Sequence, residues 1–167
     1  MTSLTAAQRS LYFAQTLDPT TPYVIAQYAE LTGELDADRL ESATVIAHRE
    51  FGIAGLHLRV TDGVPELHDD VNIAVVGERL DFRRFDNPVG AATSWMQHEW
   101  STATLSSDQP LTIAKLLRVG PDRWFWYYRA HHIALDGYTS VYDSLSRDHR
   151  DGQTQTHLRL AGPMMTV

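Results

Sequence analysis

Cysteine is absent from this 167-residue chain. That excludes disulfides, thiolate metal sites and a thiol nucleophile, and it fits a reducing compartment. Lysine is almost absent too: Lys115 is the single one, and 14 Lys plus Arg stand against 21 Asp plus Glu, for a net charge of −7. With no basic run in the sequence, nucleic acid and anionic membrane are excluded as expected partners, because both repel a net negative surface. No apolar stretch approaches the ~20 residues a membrane helix needs. Met1-Thr2-Ser3-Leu4-Thr5 lacks the basic and apolar regions of a signal peptide, so the expectation is a cytoplasmic protein. Neither G-x-x-x-x-G-K nor G-x-G-x-x-G occurs, which removes the common phosphate-cradling loops. What remains is an ordinary folding composition, 43% hydrophobic and 21% charged, at a length that suits one domain.

The element signals alternate irregularly. Thr5-Ala6-Ala7-Gln8 has the form of a capping box opening a helix over 5–16, with Ala7, Leu11 and Ala14 at helical spacing and Pro19 and Pro22 beyond its end. Residues 23–32 read as a strand closed by Gly33, and Asp36 as the N-cap of a helix over 37–49 with Leu40, Ala43 and Ala47 on one face. Alternation over 55–60, the pair Asp62-Gly63 and a return over 64–68 predict a hairpin, with a further short strand at 71–76. Asn87-Pro88 starts a helix over 88–103, marked by Val89, Ala92, Met96 and Ala103. Strands follow at 111–119 and 123–130. The second, Arg123-Trp124-Phe125-Trp126-Tyr127-Tyr128-Arg129-Ala130, is aromatic on both faces, as an inner strand covered on both sides would be. The pattern predicts an α/β (α+β) sandwich, a mixed sheet flanked by helices. From Asp143 to His157 the only apolar residue is Leu145, so 146–167 is expected to be a poorly ordered polar tail outside a folded unit spanning 1–145.

The chemistry-bearing stretch is His131-His132-Ile133-Ala134-Leu135-Asp136-Gly137, directly after the aromatic strand. Adjacent residues of a strand point to opposite faces, so the two imidazoles are poor partners for one metal ion. One can pack while the other faces a pocket, and an imidazole is the natural general base near neutral pH. Asp136 can hold a turn or pair with an arginine, and Gly137 permits positive φ or close backbone approach. A buried, hydrogen-bonded core histidine is the competing reading. The other six histidines, His48, His57, His68, His98, His149 and His157, are scattered, and none is expected to bind metal. Asp69-Asp70 reads as a solvated turn rather than a cation site.

His131-His132-x-x-x-Asp136-Gly137 resembles the HHxxxDG motif of the chloramphenicol acetyltransferase-like superfamily, and specifically of nonribosomal peptide synthetase condensation domains. Five further segments resemble the same family in order: Leu4 to Phe13 with its Ala7-Gln8 pair, Gly33-Glu34-Leu35-Asp36, His48-Arg49-Glu50 with Arg59, Asp108-Gln109-Pro110-Leu111, and Asp122 to Ala130, which leads into the histidine pair as in siderophore-type members. The third is a loose copy of His-Glu-x-Leu-Arg and leaves the equivalent arginine open between Arg49 and Arg59. The resemblance covers residues 4 to about 142 and implies one lobe, the N-terminal one, of a two-lobed acyltransferase. It implies that His132 orients or deprotonates an acceptor amine attacking a carrier-bound thioester, that His131 and Asp136 shape the loop, and that the Gly137 N–H lies near the reacting carbonyl. No cofactor or metal is expected on the chain itself; substrates would arrive on the 4'-phosphopantetheine of carrier proteins. Expected partners are those carriers and the missing C-terminal lobe, with self-association through the uncovered lobe face. The expectation is that the chain is inactive without the second lobe. An O-acyltransferase of the same superfamily, or a non-catalytic remnant acting as a binding module, are the alternatives.

Overall fold

The computed structural model describes residues 2–70, 72–74, 76–105 and 109–135, and the backbone of 157–165. Its elements run β1 (Thr2–Ser3), α1 (Ala6–Leu17), β2 (Val24–Thr32), α2 (Ala37–Glu50), β3 (Leu56–Thr61), β4 (Val64–Asp69), β5 (Leu80–Asp81), α3 (Pro88–Ser101), β6 (Thr112–Gly120), β7 (Arg123–His131) and β8 (His157–Met165). Five strands form a sheet in the order β5-β6-β7-β2-β8, and three more form a small sheet ordered β1-β4-β3. The large sheet is mixed, because β5 meets β6 in parallel while the other pairs are antiparallel. The expected α/β architecture is present.

The helix starts follow from their caps. Thr5 and Gln8 form the reciprocal capping box of α1, Asp36 accepts from Arg39 N–H at the start of α2, and Asn87 accepts from Gly90 N–H ahead of Pro88 at the start of α3. The β3–β4 hairpin turns on Asp62 and Gly63, with φ of 52° and 79°, the two positive values a tight two-residue loop needs.

β7 is the middle strand, paired with β6 and β2 along its length. Its even-numbered side chains Trp126, Tyr128 and Ala130 pack with Ala29, Leu31, Ala114 and Leu116 under Leu40 of α2. Its odd-numbered Phe125 and Tyr127 pack with Ala26, Leu117 and Val119 under Ala92 and Met96 of α3. This is why the run is aromatic throughout: both sheet faces are roofed. A third cluster of Leu4, Leu58, Leu67, Leu111 and Ile133 joins the small sheet to the end of β7, with Leu11 and Tyr12 of α1 against it.

Three sequence expectations change. The inward stripe of α1 is Gln8, Leu11, Tyr12, Ala14 and Gln15, with Ala7 exposed; Leu17 is 87% exposed. No strand spans 71–76 among the described residues; 71 and 75 lie outside them, and Val76 alone bridges, to Ala114. The polar tail expected from residue 146 is not uniform. His157–Met165 pairs antiparallel with β2, because the outer edge of β2 presents free N–H and C=O groups that a strand can satisfy. Residues 146–156 and 166–167 lie outside the described residues.

Candidate active site

The two histidines sit where β7 ends. His131 is its last residue, and His132-Ile133-Ala134 turns away, closed by Ala134 N–H donating to the His131 carbonyl at 2.9 Å. The backbone there is held on both sides: His131 N–H donates to Leu111 O at 2.7 Å and His132 N–H to Tyr23 O at 3.0 Å. Ile133, fully buried in the third cluster, anchors the turn. α1 crosses this end and contributes two amides. Gln8, besides capping its own helix, donates from Nε2 to Ile133 O at 2.9 Å, and Gln15 reaches the His131 ring.

The rings have opposite surroundings. His131 is 1% exposed and both of its nitrogens are engaged: Nδ1 accepts from Ile133 N–H at 3.1 Å and Nε2 lies 3.4 Å from Gln15 Oε1. Burial first, then the electrostatic influence of the neighbouring His132 and Arg129, holds its pKa down to about 4, so it is neutral near pH 7. His132 is the more accessible of the two. Its Nε2 is nonetheless shielded from solvent and has no hydrogen-bond partner among the described residues. A buried ring nitrogen left unpaired costs about 1–3 kcal/mol, so its persistence invites a functional reading.

Asp136 and Gly137, expected to shape and complete this site, lie outside the described residues, as does Asp108. Arg49 and Arg59, the two candidates for the arginine of the loose His-Glu-x-Leu-Arg copy, are both exposed. His48 is enclosed in α2, its Nδ1 2.8 Å from Thr44 O and its ring 5.5 Å from that of Tyr128. Among the described residues no group of three or more His, Asp or Glu side chains is arranged to hold a metal ion, and no helix is long and apolar enough to cross a membrane.

On the other side of β7, Arg129 Nε donates to Glu99 Oε1 of α3 at 2.9 Å, and Tyr127 OH donates to Glu99 Oε2. A groove of about 620 Å³ opens between α1 and the small sheet, lined by Tyr12, Thr16, Leu58, Arg59 and Leu105, with Gln15 at its wall.

The condensation-domain family profile matches residues 1–141. The chain belongs to the condensation-domain family. It is 33% identical over 141 residues to enterobactin synthase component F of Escherichia coli O157:H7, covering 81% of this chain and 11% of that protein. It is 35% identical over 139 residues to the dimodular nonribosomal peptide synthase of Bacillus subtilis (strain 168), covering 81% of this chain and 6% of that protein. The starter condensation domain of rhizomide synthetase RzmA superposes with a TM-score of 0.73 at 31% identity, covering 87% of this chain and 35% of that one. A mutant of that domain has been solved in complex with C8-CoA and Leu-SNAC. This chain is therefore part of a nonribosomal peptide synthetase condensation domain, spanning about a third of a solved one.

Sequence reasoning singled out the histidine pair and Gln8, but not Gln15. A lone glutamine in a helix carries no motif. The available signal was its spacing: Gln15 lies seven residues after Gln8, two turns along the same helical stripe.

Proposed function

We propose that this chain supplies the histidine-bearing half of an amide-forming site. His132 Nε2 accepts or orients the proton of a carrier-bound acceptor amine as that amine attacks the thioester carbonyl of a carrier-bound donor. The C–N bond forms, the C–S bond breaks, and the donor's phosphopantetheine thiol leaves with a proton. The Gly137 N–H faces the developing oxyanion, and Asp136 braces the loop. The observation that carries this reading is the asymmetry of the pair: the His131 ring is saturated and neutral, whereas His132 Nε2 has no hydrogen-bond partner among the described residues. A base needs an unoccupied lone pair. The family context adds the carrier proteins as partners, and the rest of the domain as the other wall of the site.

The test is reconstitution. The chain is combined with the remainder of a condensation domain and with donor- and acceptor-loaded carrier proteins, and amide product is followed by mass spectrometry. His132→Ala should slow product formation about 100-fold or more while leaving the unfolding midpoint near that of the parent. His131→Ala should lower the midpoint, because it deletes a buried, doubly bonded ring. A His132→Ala protein with undiminished rate would remove the assignment.

A further inference from the structure

The Gln15 side chain makes four contacts, and all its partners but one have fixed roles. Nε2 donates to Asp18 O at 3.2 Å and to Thr21 O at 2.9 Å; both are carbonyls and can only accept. Oε1 accepts from Tyr23 N–H at 3.3 Å, a backbone donor. The amide is thus oriented by its backbone neighbours, and one lone pair of Oε1 remains. The fourth partner, His131 Nε2 at 3.4 Å, faces that lone pair and must donate. The opposite ring nitrogen agrees: Nδ1 faces Ile133 N–H, which can only donate, so Nδ1 carries no proton. Two independent backbone constraints therefore select one neutral tautomer of His131, with its hydrogen on Nε2. Gln15 is 4% exposed, so water does not substitute for these partners at low cost.

The same amide reaches His132 by a second route. Tyr23, whose N–H is held by Gln15, accepts the His132 N–H on its own carbonyl at 3.0 Å. The Gln15 side chain therefore grips both the ring before His132 and Tyr23, the residue leading into β2 from which the His132 backbone hangs.

We propose that Gln15 is a positioning residue for His132. It locks the tautomer and orientation of His131 and the register of Tyr23, and so fixes where His132 Nε2 points. This inference rests on the reading of His132 given above. The ring readout below does not depend on whether His132 performs the chemistry.

The experiment uses the full chain, labelled with ¹⁵N, and reads the imidazole nitrogens by long-range proton correlation near neutral pH. In the parent, His131 is expected as a single species protonated on Nε2, and His132 as one set of signals. Gln15→Leu removes the acceptor at similar size, and is expected to give mixed His131 tautomers and to split or broaden the His132 signals. Gln15→Glu keeps the acceptor oxygens and loses the donations to Asp18 and Thr21, so it should restore the Nε2-protonated His131. In the reconstituted amide assay Gln15→Leu should lower the rate at saturating substrate ~10–100-fold with KM unchanged, a cost of misplacement rather than of binding, and Gln15→Glu should recover most of it. Parent His131 protonated on Nδ1 overturns the proposal even if Gln15→Leu fails to fold. So does a folded Gln15→Leu protein with an unchanged His131 tautomer and rate. If His132→Ala leaves amide formation intact while the ring results hold, the functional reading falls and the positioning stands; if His132→Ala abolishes it while Gln15→Leu changes nothing, the positioning falls alone.

Discussion

The two faces of the large sheet are built from alternate residues of one strand, yet they solve burial differently. The α2 face of β7 takes Trp126 and Tyr128 and meets a histidine, His48, that is fully buried and neutral. The α3 face takes Phe125 and Tyr127 and, two residues on, a charged Arg129 only 4% exposed, answered by Glu99. On the first face the ionisable group gives up its charge; on the second the charge is kept because a carboxylate and a phenol are arranged around it. Depth alone does not decide which occurs. Basicity does: an imidazole can shed its proton near neutral pH and a guanidinium cannot, so the buried Arg129 needs the counter-charge that the covering helix supplies.

The largest expected effect breaks the second arrangement. Glu99→Ala leaves the Arg129 guanidinium buried without its carboxylate and strips Tyr127 OH of its acceptor. Removing one partner of a buried pair costs about 3–5 kcal/mol, read as a lower urea midpoint. Replacing Arg129 and Glu99 together by Met should recover most of that loss, since an apolar pair of similar volume needs no counter-charge. A Glu99→Ala cost near that of a surface pair, under ~1 kcal/mol, would show that water already screens Arg129 and that the faces do not differ as described.

Acid should act in the opposite sense, on the neutral groups. His48 is held below its ordinary pKa by burial, against the opposing hydrogen bond to Thr44 O. His131, at the end of β7, is held down to about 4 by burial first, then by His132 and Arg129. A lowered native pKa means the unfolded chain binds protons that the folded chain refuses. The stability from each is complete above the unfolded value of 6.5 and declines as pH falls from there toward the native value. For His131 alone the loss between about pH 7 and about pH 5 is about 2 kcal/mol, and His48 adds to it. Urea unfolding across that range should show stability falling with acid, less steeply in His48→Gln. A flat profile would mean that both rings take up protons in the folded state as readily as in the unfolded chain.

The legibility of these features in the sequence follows from what each depends on. The capped helices and the alternating strands over 24–32, 56–61, 112–120 and 123–131 stand close to where residue spacing and turn chemistry put them, because those signals are local. β1 and β5 have two residues each, too few to alternate. β8 forms on the edge of β2, a property of the partner rather than of residues 157–165. The face of α1 misleads for a related reason. Apolar spacing points to Ala7, Leu11 and Ala14; Leu11 and Ala14 are half-buried and Ala7 is exposed, while the turn after β7 offers carbonyls and ring nitrogens, so the amides of Gln8 and Gln15 turn inward. The histidine pair was legible as a pair. The difference between its members depends on Tyr23, Ile133 and Gln15, residues that only the fold brings beside it.

The smallest expected effect sharpens the comparison at the starts of the two covering helices. Both open on a side chain that accepts the third backbone N–H: Asp36 from Arg39 in α2, and Asn87 from Gly90 in α3. Position 39 carries a full side chain beside its carboxylate cap, whereas position 90 is glycine beside an amide. A Cβ placed on Gly90 would lie 2.5 Å from Asn87 Nδ2 and 2.9 Å from its Cγ, so the capping amide would have to move. In a helix alanine is favoured over glycine by about 1 kcal/mol, and losing an Asn cap costs about the same. Gly90→Ala should therefore be nearly neutral, with propensity gained and cap lost. Asn87→Ala alone should destabilise by about 1 kcal/mol. In that background there is no amide left to displace, so adding Gly90→Ala should restore most of the loss. The cycle of single and double variants, followed by thermal unfolding, should then show a favourable coupling of about 1 kcal/mol. Strict additivity would mean that the Asn87 amide moves aside freely and that Gly90 is not there to make room for it.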